Sequence, residues 1–112
     1  MISPYKSVLL VNAMLEDYPD YVIAGDLMDV SISRYYAIGH VYKSVDYRNG
    51  ALMLSEEISR VVEYERRYLI ETVDGERLLL VNFHPCGGRK SLKFLLELFA
   101  SGAMAGSRYC VQ

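Results

Sequence analysis

The chain has no tryptophan and only three prolines, two histidines and two cysteines, and each scarcity removes a class of explanation. Cys86 and Cys110 allow at most one disulfide and form no metal-binding doublet, so neither a disulfide scaffold nor a zinc ribbon is specified. No apolar run approaches the length of a bilayer crossing, and Met1-Ile2-Ser3-Pro4 lacks the basic region and long apolar core of a secretion signal. An intracellular, cytoplasmic protein without a membrane partner is expected. Neither sign of charge dominates: 12 basic and 14 acidic residues leave a net charge of -2, which predicts no general affinity for long nucleic acid.

What remains is the composition of a globular domain. A chain of 112 residues, 52% hydrophobic and 23% charged, supports one core and not two, so residues 1–112 are read as a single domain. The charges are unevenly placed. Glu16, Asp17, Asp20, Asp26 and Asp29 dominate the first third, and Arg60, Arg66, Arg67, Arg77, Arg89, Lys90 and Lys93 lie later. A small anion could meet favourable local charge despite the negative total.

The pattern along the chain predicts a compact α/β domain with a mixed β-sheet flanked by helices. Ser7-Val8-Leu9-Leu10-Val11-Asn12 is continuously apolar, as a central strand buried on both faces would be, which sets Asn12-Ala13 at its C-terminal edge. Tyr21-Val22-Ile23 resumes a strand before a turn at Gly25-Asp26, and Leu27 to Ser33 reads equally as strand or short helix. Tyr35 to Ile38 leads into Gly39-His40. Ser55 caps an expected helix that carries Ile58, Val61 and Val62. Asp74-Gly75 between two strand-forming runs, 68–73 and 77–83, signals a β-hairpin. Leu92, Leu95, Leu96 and Phe99 then recur at helical spacing up to Ser101-Gly102, and residues 107–111 supply a final strand.

The stretch His84-Pro85-Cys86-Gly87-Gly88-Arg89-Lys90-Ser91 carries the clearest chemistry. Consecutive glycines let main-chain N–H groups converge, and the unpaired donors of the helix behind them would add to the field on an anion. Arg89 and Lys90 can neutralise phosphate, with Ser91 as cap or ligand. The spacing is neither the loop of a nucleoside-triphosphatase nor the dinucleotide fingerprint. His40 and His84 can each exchange a proton near neutrality. Cys86 beside His84 offers a nucleophile, against the commoner reading of a structural thiol. Ten tyrosines weakly favour a dimer, with ordinary core and surface packing as the alternative.

In order, Val8-Leu9-Leu10-Val11-Asn12-Ala13, Tyr36-Ala37-Ile38-Gly39-His40, Gly88-Arg89-Lys90-Ser91-Leu92 and Leu95 to Gly102 resemble the small viral ring nucleases that suppress type III CRISPR signalling. The resemblance spans roughly residues 7 to 111 through short, separated motifs. It implies an anti-CRISPR homodimer, working in the cytoplasm of an infected host, that binds cyclic tetra-adenylate or another cyclic nucleotide and cleaves it without metal or other cofactor. His40, in the Ile-Gly-His motif with Gly39, would be the general acid. Asn12 and Ala13 would hold the ring phosphate. Asn82 stands in for the family's amide, and Arg89, displaced from the family's arginine, would stabilise the phosphate with Gly87 and Gly88. The family's glutamate is missing from this turn, which leaves sequestration of the ring as the companion expectation to cleavage. The competing class is a small protein-interaction module without catalytic activity.

Overall fold

The computed structural model describes residues 4–15, 22–64, 67–100 and 110–111. They form a mixed sheet with a helix on each face: α1 (Pro4–Leu15), β1 (Gly25–Ser33), β2 (Tyr36–Tyr42), β3 (Ala51–Leu54), β4 (Ile58–Tyr64), β5 (Arg67–Thr72), β6 (Arg77–Leu80), α2 (Gly88–Ala100) and β7 (Cys110–Val111). The strand order is β3-β2-β1-β6-β5-β4-β7. The β1–β6 and β4–β7 pairs are parallel and the others antiparallel. This is the single α/β domain with a flanked mixed sheet that the pattern predicts.

Alternation along the strands sorts the core into two layers. On the first face Leu27, Val30, Ile32, Val61, Ile70, Leu78 and Leu80 meet Leu92, Leu95 and Phe99 of α2. On the second face Met28, Val62, Leu69, Leu79 and Val81 meet Leu10 and Ala13 of α1. Each large side chain so buried contributes about 1.5–3 kcal/mol of transfer free energy. No described helix is long and apolar enough to cross a membrane.

Several local expectations are corrected. Residues 7–12 are the middle of α1, not a strand. A short apolar run does not distinguish the two, and Pro4 at the first helical position, with Leu10 and Ala13 three residues apart on the buried side, decides for the helix. Gly25–Ser33 takes an interior position between β2 and β6, so Gly25-Asp26 opens a strand where a turn was expected, and residues 27–33 resolve as strand. Val22 and Ile23 precede β1 without joining it, and Tyr21 lies outside the described residues. The helix expected after Ser55 is strand β4, whose Ile58, Val61 and Val62 are β-branched and buried. Ser55 caps nothing: its Oγ accepts the Ala37 N–H at 2.9 Å and donates to Glu56 O at 2.8 Å.

The Asp74-Gly75 hairpin and the amphipathic helix α2 stand where the spacing put them. Gly75 takes φ +90°, and Glu71 pairs with Arg77 across the hairpin. The final strand is confined to Cys110–Val111 among the described residues; Ser101, Gly102 and residues 107–109 lie outside them.

Candidate functional site

The chain leaves β6 through Val81 and runs alongside β1 before turning into α2. Val30 N–H donates to Asn82 O at 3.0 Å and His84 N–H donates to Val30 O at 2.9 Å. Beyond that point β1 has no strand on its β6 side, and α2 supplies the missing acceptor there: Ile32 N–H donates to Ser91 Oγ at 2.8 Å, and Ser91 Oγ donates to Gly88 O. Ser91 is therefore neither a cap nor a free ligand. It fastens the first turn of α2 to the sheet.

Gly87 and Gly88 serve different purposes in that turn. Gly87 has φ +92° and open space around its absent side chain, so its requirement is conformational. Gly88 is buried against β1, where a Cβ would lie 2.3 Å from Val30 O. The close approach brings the start of α2 onto the sheet and holds its N-terminal donors in place. Ser91 N–H reaches Gly87 O and Gly88 N–H reaches His84 O, while the N–H groups of Arg89 and Lys90 have no acceptor among the described residues.

Around these donors lies an open cavity of about 520 Å³ lined by His84, Pro85, Gly87, Gly88, Arg89, Lys90 and Lys93. The Arg89 guanidinium carbon sits 4.8 Å from the centre of the Phe83 ring, which steadies the charge at the cavity wall. Lys93, one turn on from both Arg89 and Lys90, completes a basic face that i, i+3 and i, i+4 spacing could have indicated. His84 Nδ1 accepts the Cys86 N–H at 3.0 Å, so the neutral ring carries its proton on Nε2 and is a donor to a ligand. The same bond occupies the nitrogen through which Nδ1 would activate the Cys86 thiol, which is exposed and free.

The other expected residues lie elsewhere. Asp29 and Val30 form a β-bulge opposite Gly39, where a Cβ on Gly39 would lie 2.9 Å from Met28 O. Gly39 is thus a packing glycine. Asp29 has φ 55°, and Asn82 holds it from both sides: Asn82 Oδ1 accepts the Asp29 N–H at 2.7 Å and Asn82 Nδ2 donates to Asp29 Oδ1 at 3.2 Å. Lys6 of α1 joins them, 2.8 Å from Asp29 Oδ2. Nothing in the sequence marks Asp29 or Lys6 as members of this group, because the bulge that assembles them is a property of strand pairing.

His40 pairs with Met28, so its ring emerges on the second face, next to the bulge. Its Nδ1 lies 3.0 Å from Gly50 O, an acceptor, which makes Nδ1 the donor and turns Nε2 toward solvent as the basic nitrogen of the neutral ring. Arg89 belongs to α2, on the first face. Within one chain the sheet separates the expected general acid from the expected phosphate-stabilising cation. Asn12 and Ala13 part as well: Asn12 is exposed on the outer side of α1, and Ala13 is buried beneath it against the sheet. Neither lies at a strand edge.

Two further features bear on chemistry. Asp26, buried on the second face, has its Oδ2 without a hydrogen-bond partner, and burial raises its pKa above the ordinary value against the opposing pull of Lys43 and Arg67. Among the described residues no three His, Cys, Asp or Glu side chains group as metal ligands would. Compared with family models, curated proteins and solved structures, the chain matches none, so the functional reading rests on the basic cavity at the start of α2.

Proposed function

We propose that the protein binds a phosphate-bearing nucleotide at the N-terminus of α2 and acts by sequestering it. The observation that carries this reading is an open cavity lined by Arg89, Lys90 and Lys93 at the helix turn whose Arg89 and Lys90 N–H groups have no acceptor among the described residues. Main-chain donors at a helix start and fixed guanidinium charge both favour phosphate oxygens. The motif resemblance nominates cyclic tetra-adenylate as the nucleotide. Sequestration is favoured over cleavage because His40 and Arg89 occupy opposite faces of the sheet, so one chain cannot direct both at the same phosphodiester.

Thermal denaturation and calorimetry of the protein with cyclic tetra-adenylate, a cyclic dinucleotide and inorganic phosphate test the reading. Ligand at one hundred times its Kd should add about 2.7 kcal/mol of stability. Arg89→Ala should weaken binding by roughly ten- to a hundredfold, as expected for a lost charge-assisted contact, and His40→Ala should leave binding unchanged. Product separation after incubation in chelator should return the intact ring. No stabilisation by any of the three ligands at saturating concentration defeats the proposal.

A further inference from the structure

Beyond the cavity, α2 continues as a positive strip with one aromatic side chain set into it. Arg89, Lys90 and Lys93 are exposed, and none has an ion-pair partner among the described residues. Phe94 is 58% exposed, although Leu92, Leu95 and Phe99 of the same helix are buried. It stands one turn on from Lys90 and Ser91, and helical side chains lean toward the N-terminus, so its ring leans over the turn that carries Lys90. The other border comes from the sheet. α2 runs alongside β1, with Gly88 against Val30 and Ser91 Oγ on the Ile32 N–H at 2.8 Å. Two further residues of strand span about 6.6 Å and three of helix about 4.5 Å, which brings Arg34 level with the turn of α2 that carries Phe94. Arg34 is exposed, has φ 55°, and is likewise without a carboxylate among the described residues. Glu97, the single acid of α2, follows a turn later and ends the strip.

We infer that this strip holds a single-stranded oligonucleotide, with one base stacked on Phe94, the phosphate on one side of it in the basic cavity and the phosphate on the other side at Arg34. The inference rests on the nucleotide reading above and extends it from one phosphate to a chain of at least two nucleotides. An aromatic platform flanked by cations suits a single strand, because every base has a face to stack and every linkage a charge to neutralise. An acidic peptide would meet the same cations and gain little from the ring. Phe94 is the only large apolar side chain exposed on α2, and its exposed neighbours Lys90, Lys93 and Glu97 are charged, so no apolar patch surrounds it.

The chain has no tryptophan, so Phe94→Trp installs a lone indole whose emission reports stacking directly. Linear and cyclic tetra-adenylate, adenosine monophosphate, inorganic tripolyphosphate and an oligoglutamate peptide are titrated against it, with calorimetry alongside. Both tetra-adenylates should quench the indole, the tighter of the two telling a ring from an open strand, and tripolyphosphate should bind without quenching. Phe94→Ala should weaken tetra-adenylate by roughly five- to a hundredfold and leave tripolyphosphate unchanged, and Phe94→Leu should behave as Phe94→Ala does, since stacking needs a π-face. Arg34→Ala should weaken tetra-adenylate by about tenfold and leave adenosine monophosphate unchanged, because one phosphate cannot fill both positions. Phe94 and Arg34 are exposed, so the melting temperatures of these variants should match the wild type. Tetra-adenylate that binds without quenching, or that binds Phe94→Ala as tightly as the wild type, overturns the inference and leaves the phosphate site standing. Quenching by oligoglutamate also overturns it and assigns the strip to an acidic protein partner. Absence of binding by every nucleotide removes the nucleotide reading itself, and this extension with it.

Discussion

Replacing Gly88 with alanine should destabilise the domain, although alanine is the better helix former by about 0.8–1 kcal/mol. The added Cβ would lie 2.3 Å from Val30 O, 3.1 Å from the Phe83 Cβ and 3.2 Å from the His84 Cβ. An ordinary contact needs roughly 1 Å more than the shortest of these, and the obstacle is main chain that cannot rotate away. Val30 O also accepts the His84 N–H at 2.9 Å, so moving apart strains that bond too. Overpacking of this kind costs about 1–3 kcal/mol and a weakened buried hydrogen bond about 1 more; subtracting the propensity gain leaves a net loss of about 2 kcal/mol. Urea denaturation followed by circular dichroism should show a lower midpoint at unchanged slope, and the melting temperature should fall by roughly 8 °C. Gly87→Ala is the internal comparison: its site is open, so only the positive φ is strained, at about 1 kcal/mol. A midpoint for Gly88→Ala equal to or above wild type would refute the packing argument, because propensity alone would then have decided the sign.

Other outcomes follow from single interactions. Ser91→Ala strips the Ile32 N–H of its acceptor and should cost about 1–3 kcal/mol, measured by the same denaturation; a loss below the error of the method would mean that water replaces the hydroxyl. Asp26→Asn should stabilise the protein at neutral pH. The folded state holds the Asp26 proton more tightly than the unfolded chain does, so this residue's contribution falls as pH rises from the ordinary aspartate value of 3.8 through its raised folded value. The stability difference between Asp26→Asn and wild type should therefore grow with pH across that window, and a difference that is flat in pH would contradict the assignment. Asn82→Ala should cost about 1–3 kcal/mol by removing both of its bonds to Asp29, with no matching loss of nucleotide affinity beyond that explained by stability.

The helix from Gly88 to Ala100 and the hairpin around Asp74-Gly75 were legible from residues alone, because their signals are local. A stripe of Leu92, Leu95 and Phe99 has one use, and Asp-Gly adopts a tight turn wherever it stands. The turn Gly87-Gly88 before Arg89 and Lys90 was also legible as the start of a helix with unpaired main-chain donors, since those donors arise within the first turn itself. By contrast, residues 7–12 and 55–62 misled for a shared reason: short apolar runs satisfy a helix or a strand equally, and competition for the sheet chooses between them. Leu27, Leu78 and their neighbours fill the centre of the sheet and leave residues 7–12 to cover it as a helix.

The functional residues divide along the same line. Composition and local pattern by themselves determined one mixed α/β domain and the place where positive charge meets free main-chain donors. Only the tertiary structure decided that Gly39 faces a bulge, that Asn82 and Lys6 are spent on Asp29, and that His40 and Arg89 lie on opposite faces. The reason is that a strand residue's face depends on pairing register, and one inserted residue at the bulge shifts it, whereas nothing in the one-dimensional order of side chains records that shift.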